Sequence, residues 1–224
     1  MAVLSPSLHV TSEFAADDSR RAAARERFAD FGARASICAL FVFFATQIGG
    51  EFGRTGHVTG LLLLVSELLV VLLTVVRRPA VVVDRAMSTR LVAAVSMVGI
   101  YFIRPVGTPL LSDLATATVS GAGLLAIIAA KLTLGRSFGL MPANRGIVCR
   151  GIYRVVRHPI YAGYLVTHAA FLAAHPTLWN VTLLVTSDTA LLVRAVYEER
   201  ILERDPAYAT YMQQVPWRVL PGCF

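Results

Sequence analysis

From His57 to Val76 the chain reads HVTGLLLLVSELLVVLLTVV, twenty residues with one charged side chain, Glu67. As a helix this run rises about 30 Å, the thickness of a bilayer's hydrocarbon core. In lipid every backbone group must be paired internally, so a single run of this kind can cross only as a helix. Five more apolar stretches follow the same pattern, at about 34–52, 89–104, 112–134, 159–175 and 177–197, although 89–104 is short. Only HPTL separates the last two, which predicts a tight helical hairpin. Composition agrees: 56% of the 224 residues are hydrophobic and 16% charged, with a mean hydropathy of +0.63, whereas soluble domains carry about a quarter charged residues. The expected fold is all-α, a polytopic membrane bundle of about six transmembrane helices.

The formal charge of +7 could invite nucleic acid, but the arginines lie between apolar runs instead of along one soluble face. Short cytoplasmic loops collect Lys and Arg. With six spans and both termini cytoplasmic, 19 of the 21 basic residues fall on that side, leaving Arg54 and Arg104 outside. Lys131 is counted there with the loop after the fourth span. Arginine outnumbers lysine twenty to one, which suggests a GC-rich bacterial genome and hence a bacterial cell membrane. No cleavable signal is expected, and SEFAADDSRRAAARERFADFGARA reads as an amphipathic cytoplasmic helix or a frayed tail. Three parts follow: a cytoplasmic segment 1–33, spans one to four over 34–133, and a C-terminal region 134–224. Cys38, Cys149 and Cys223 share no metal-ligand spacing, so neither a zinc site nor a disulfide framework is expected.

Polarity concentrates in three cytoplasmic pieces. LGRSFGLMPANRGIVCRGIY (134–153) is a glycine-rich connection longer than packing needs. Arg157-His158-Pro159 opens the fifth span, with Pro159 suited to a first helical turn and His158 at the N-cap, where anions are drawn. RAVYEERIL (194–202) closes the sixth. Tyr161, Tyr164 and His168 recur at helical spacing as a polar stripe, while Asp188 and Glu199 share a face of the partner helix. Glu198 and Glu199 could take a cation, an amino group or arginines. Tyr161 and Tyr164 could equally be interfacial aromatics, His168 an interhelical hydrogen-bond partner, and Arg154 and Arg157 anchors to lipid phosphate. Glu67 and Asp188, inside apolar runs, are costly unless they function or pair.

In order and spacing, LGRSFG, GIYRVVRHPIYAGY, EERIL, YATY and VPWRVLPG resemble the isoprenylcysteine carboxyl methyltransferase and phospholipid methyltransferase family of integral membrane enzymes. The resemblance covers about the last 90 residues. It implies S-adenosyl-L-methionine as methyl donor, in a cytoplasmic pocket between the loop and the terminal hairpin, and a lipophilic or lipid acceptor. Implied cofactor contacts are Arg145, Gly146, Ile147, Val148, Tyr153, His158, Pro159, Ile160, Tyr161 and Glu198. Arg194 falls where the family faces its substrate, and Arg194, His158 and Tyr161 form the implied catalytic set. The implied reaction is carboxyl O-methylation of an isoprenylcysteine-like or other small hydrophobic acceptor. DPAY replaces the family's usual Phe-Gly-x-x-Tyr, which leaves the alignment of the tail, including Arg218, open. Two other classes compete: an NADPH-dependent reductase of the sterol-reductase type, using Arg136, Asn144, Arg145 and Arg150 on the extra phosphate, and a transporter using Glu67 and Asp188.

Overall fold

A computed structural model describes residues 28, 31–43, 45–46, 49–50, 53, 58–80, 82–84 and 86–223. Most of the expected N-terminal segment therefore lies outside the described residues. The chain is helical: α1 (Phe31–Phe43), α2 (Val58–Val76), α3 (Met87–Val98), a 3₁₀ turn Gly99–Phe102, α4 (Asp113–Leu134), α5 (Pro159–Ala174), α6 (Leu178–Leu202) and α7 (Pro206–Gln214). Each later helix starts where local chemistry dictates. Ser112 accepts from the Ala115 N–H at 3.4 Å, Thr177 from Asn180 at 3.2 Å and Asp205 from Ala207 at 3.1 Å, each satisfying a first-turn donor. Pro159 begins α5 in place of a side-chain cap.

The bundle is apolar outside and polar in places within. Leu72, Leu91, Leu125, Leu132 and Val185 are more than half exposed, whereas Ser66, Thr74, Lys131, Asn180 and Ser187 are buried. Among the described residues one helix, Asp113–Ser137, is long and apolar enough to cross a membrane; Phe31–Phe43, Leu62–Val76, Met87–Phe102 and Pro159–Ala174 are shorter apolar helices. The sixth expected span is also long, but α6 carries Asp188, Arg194, Glu198, Glu199 and Arg200.

Helices α4 and α5 form the closest pair because two glycines remove the side chains between them. A Cβ at Gly163 would meet Ile127 Cγ1 at 2.5 Å and the Gly123 carbonyl at 2.9 Å; one at Gly123 would meet Thr167 Cγ2 at 2.8 Å. The glycine of the H-P-x-Y-x-G motif is thus a packing residue. Lys131 departs from the expectation that it lies in a cytoplasmic loop. It sits in the last turn of α4, fully buried, with Nζ donating to the Ser66 carbonyl at 3.0 Å and hydroxyl at 2.8 Å on α2. A buried ammonium needs such partners, and the neighbouring Glu67 charge adds to them.

Two short strands, β1 (Val82–Val83) and β2 (Ala143–Asn144), pair antiparallel in the register Val82–Asn144 and Val83–Ala143. They fasten the connection before α3 to the loop between α4 and α5. At the other end Asn180 is wholly buried, accepting from the Arg104 N–H at 2.9 Å and donating to the Arg104 and His175 carbonyls. The α5–α6 turn is thereby tied to the segment after Phe102. Between these two ends the helices enclose one long cavity.

Candidate active site

The cavity runs between α5 and α6, with the 137–148 loop and α7 closing one end and α1, α2 and the Gly99–Phe102 turn flanking the other. Of the expected site residues, Arg145, Gly146, Ile147, Val148, Tyr153, His158, Ile160, Tyr161, Arg194 and Glu198 line it. Pro159 is fully buried beneath the helix start and does not.

The two adjacent glutamates of EERIL have opposite surroundings. Glu199 is 2% exposed and points at the chain's own cations. Arg157 grips it with Nε to Oε1 at 2.7 Å and Nη2 to Oε2 at 3.3 Å; Arg218 Nε donates to Oε2 at 2.7 Å, and His158 Nε2 lies 3.2 Å from Oε1. Burial alone would raise the Glu199 carboxyl, but the hydrogen bonds from His158, Arg157 and Arg218 outweigh it and hold it at about 2. Arg157 Nη1 also donates to the Val215 and Pro216 carbonyls, and the Arg157 and His158 N–H groups donate to the Trp217 and Arg218 carbonyls. The closing VPWRVLPG segment is therefore latched onto the start of α5. Arg218, whose alignment was open, is seated by this contact. Arg157 binds protein and is not free for lipid phosphate.

Glu198 faces the cavity. Among the described residues its one hydrogen bond is from the Tyr161 hydroxyl to Oε2 at 2.8 Å. The Tyr161 ring stacks on His158, with centroids 5.1 Å apart, and the Arg194 guanidinium carbon lies 5.6 Å from that ring's centre. Arg194 is buried, donates through Nη2 to the Leu140 carbonyl and so holds the loop against α6, while its Nε has no partner among the described residues. His158 and Tyr161, both implied cofactor contacts, are themselves bonded to Glu199 and Glu198.

The Y-x-x-Y motif also divides its work. Tyr211 donates to the Tyr153 carbonyl at 2.6 Å, pinning the loop before α5. The Tyr208 hydroxyl is buried at the cavity wall without a partner among the described residues. Burial, then the Glu199 and Glu198 charges, push its phenol far above the ordinary value, so it stays a donor. Sequence reasoning quoted this motif without assigning either tyrosine. In DPAY, Asp205 both caps α7 and accepts from Asn144 Nδ2 at 3.0 Å, while Asn144 Oδ1 accepts from the Gly146 N–H at 2.9 Å. Gly146 needs its left-handed φ of 96° there. Arg136 and Arg150 line an adjoining cleft with Arg78, which shares Leu134, Ser137, Ile147 and Val148 with the cavity.

The polar stripe also enters the cavity. Tyr164 and His168 line it, joined by Glu67, Ser96 and Tyr101 from other helices. His168 Nδ1 is 2.6 Å from Asp188 Oδ1 on α6. Of these, sequence reasoning flagged Glu67, Tyr164, His168 and Asp188 singly but had no means to bring Tyr101 and Ser96 to them.

No curated protein matches the chain. Residues 114–209 match the family model for phospholipid methyltransferase, and these limits run from the start of α4 into α7, taking in most of the loop and hairpin that build the cavity. Over this segment, and in agreement with its motifs, the chain is similar to phospholipid methyltransferases.

Proposed function

We propose that the protein is an S-adenosylmethionine-dependent methyltransferase embedded in a membrane by about six helices, acting on a lipophilic acceptor. The observation that carries this reading is a pair of buried donors without partners among the described residues, Tyr208 Oη and Arg194 Nε, in one cavity with the Glu198 carboxylate. Buried polar groups in native proteins are nearly always satisfied, so these atoms await a polar ligand. The donor set suits a zwitterionic amino acid joined to a nucleoside. Glu198 would hold the ammonium by a charge-assisted bond, Tyr208 would donate to the cofactor's polar atoms, Arg194 Nε would face the methyl acceptor, and the tyrosine rings offer faces to the sulfonium. When bound, the cofactor supplies a methyl group on positively charged sulfur, whose displacement needs in-line alignment above all.

The protein's own task is therefore positioning and exclusion. Arg157, Glu199 and Arg218 hold the tail on the start of α5 and thereby set His158 and Tyr161; Tyr211 and Arg194 hold the loop from opposite sides. The apolar outer faces of the helices suit lateral arrival of an acceptor from lipid.

Calorimetric titration of the detergent-purified chain with S-adenosylhomocysteine and, in parallel, NADPH tests the reading. Saturable binding of the former alone is expected. Glu198→Gln should weaken it ten- to a hundredfold, the equivalent of about 1.5–3 kcal/mol for a hydrogen bond to a charged group. Binding of NADPH alone would overturn the methyltransferase assignment in favour of the reductase.

A further inference from the structure

The cavity continues past Tyr161 toward the middle of the bundle. Along α5, Tyr161 to His168 spans seven residues, about 10 Å of helix rise, and both residues line the same cavity. At the inner end His168 uses Nδ1 on Asp188 Oδ1 at 2.6 Å, and its ring stacks on Tyr164 with centroids 6.1 Å apart. Its other nitrogen, Nε2, makes no hydrogen bond among the described residues and is not among their sealed, unpaired atoms. A carboxylate orienting one ring nitrogen while the other keeps a lone pair is the arrangement of a general base. A purely structural tie between α5 and α6 would have no need to line the cavity.

The groups around the pair do not supply a rival for this proton. Asp188 on α6 is the orienting partner, and Tyr164 on α5 is a neutral phenol. From α4, Lys131 lies over the Tyr164 ring, 5.9 Å from its centre, but its Nζ is bonded to Ser66. From α2, Glu67 lines the cavity under the influence of the Lys131 charge. Tyr101 and Arg194 complete the titratable lining nearby. A carboxylate acceptor is already ionised and has no proton to give.

We propose that His168, oriented by Asp188, takes the proton from an acceptor whose nucleophilic atom carries one — a lipophilic phenol, thiol or ammonium. This rests on the methyltransferase reading above. In the balanced step the acceptor's heteroatom forms a bond to the methyl carbon, and the carbon–sulfur bond breaks with its electron pair kept on sulfur. The heteroatom's proton passes to His168 Nε2, leaving a neutral thioether and an imidazolium paired with Asp188; an ammonium acceptor gives its proton first, freeing the lone pair that attacks.

The test uses the full chain in detergent micelles with four probes of one tail length: 4-dodecylphenol, dodecanethiol, dodecylamine and laurate. Wild type should methylate one or more of the first three. His168→Asn and Asp188→Asn should lower that turnover by about 10²–10⁴-fold, the usual contribution of a general base, while S-adenosylhomocysteine affinity stays within threefold. The acid-side fall in the wild-type pH–rate profile should disappear in His168→Asn. Independently of turnover, His168 should be carbethoxylated by diethyl pyrocarbonate, as read by peptide mass spectrometry, and protected by the methylated probe. Methylation of laurate alone, equal turnover in both variants, or an unreactive His168 in chain that binds S-adenosylhomocysteine would each overturn the proposal and leave the methyltransferase reading standing. Folded chain that binds no S-adenosylhomocysteine and methylates nothing would overturn both.

Discussion

Replacing Glu199 with glutamine should unlatch the tail while leaving the charge of the ligand-facing Glu198 in place. The side chain is 3% exposed and receives Arg157 twice, Arg218 once and His158 at 3.2 Å. Removing one partner of a buried ion pair costs about 3–5 kcal/mol, because the remaining charge stays buried without compensation. The lower end applies here, since Arg157 keeps the Val215 and Pro216 carbonyls. A second route gives a similar figure. The carboxyl is held at about 2 against an ordinary 4.5, and a shift of that size corresponds to about 3 kcal/mol at 1.36 kcal/mol per pH unit.

The sign follows from the direction of the shift. A lowered folded-state value means the unfolded chain binds the proton more tightly, so the stabilisation is complete above about pH 4.5. It is lost as pH falls from there toward about 2. Thermal unfolding in detergent should show Glu199→Gln melting about 6–12 °C below wild type at neutral pH, given about 2–4 °C per kcal/mol for a chain of this size. The gap should close as pH is lowered through that window, because wild type loses what the variant already lacks. Chain that remains folded should still bind S-adenosylhomocysteine. An unchanged melting temperature at pH 7, or a gap independent of pH down to 2, would refute the latch.

Two further perturbations separate packing from chemistry. Gly163→Ala should lower stability by about 1–3 kcal/mol through overpacking against Ile127 and the Gly123 carbonyl; Gly121→Ala, whose Cβ would meet only Leu62 Cδ1 at 4.0 Å, should be neutral or slightly stabilising in the same melting assay. Arg194→Ala should release the loop at Leu140 and raise the KM for whichever lipophilic probe is methylated about tenfold or more, with S-adenosylhomocysteine affinity changed much less; lost cofactor binding with acceptor kinetics intact would reverse its assignment.

Helix positions were legible because they follow from apolar runs and from breakers at their ends. Pro159 marks a start that the structure reproduces, and the stripe of Tyr161, Tyr164 and His168 lines the cavity as its helical spacing predicts. What was not legible depends on how helices are rotated against one another. Lys131 reads as the first charge of a loop because it ends an apolar run; only the neighbouring α2, with Ser66 one turn-face away, makes room for it inside. The pairing of Val82–Val83 with Ala143–Asn144 has no local signal at all, since two-residue strands are defined by their partner. Gly163 was readable as a motif glycine but not as a contact to α4, which needs Gly123 opposite.

Glu198 and Glu199 show the limit most sharply, and also why both are present. Adjacent helical residues lie about 100° apart, so one turn of α6 sends one carboxylate into the cavity and its neighbour into the tail. In the sequence they are equivalent. The structure leaves Glu198 with a single phenol and an open side, and surrounds Glu199 with three basic groups. The second carboxylate secures the element that carries His158, whose ring stacks on Tyr161, whose hydroxyl in turn holds Glu198. Orientation of the ligand-facing acid is thus inherited, through two aromatic side chains, from the buried one. A chain with Glu198 alone would keep the charge for a ligand and lose the frame that aims it, which is why the two substitutions should fail differently: Glu198→Gln in affinity at full stability, Glu199→Gln in stability first.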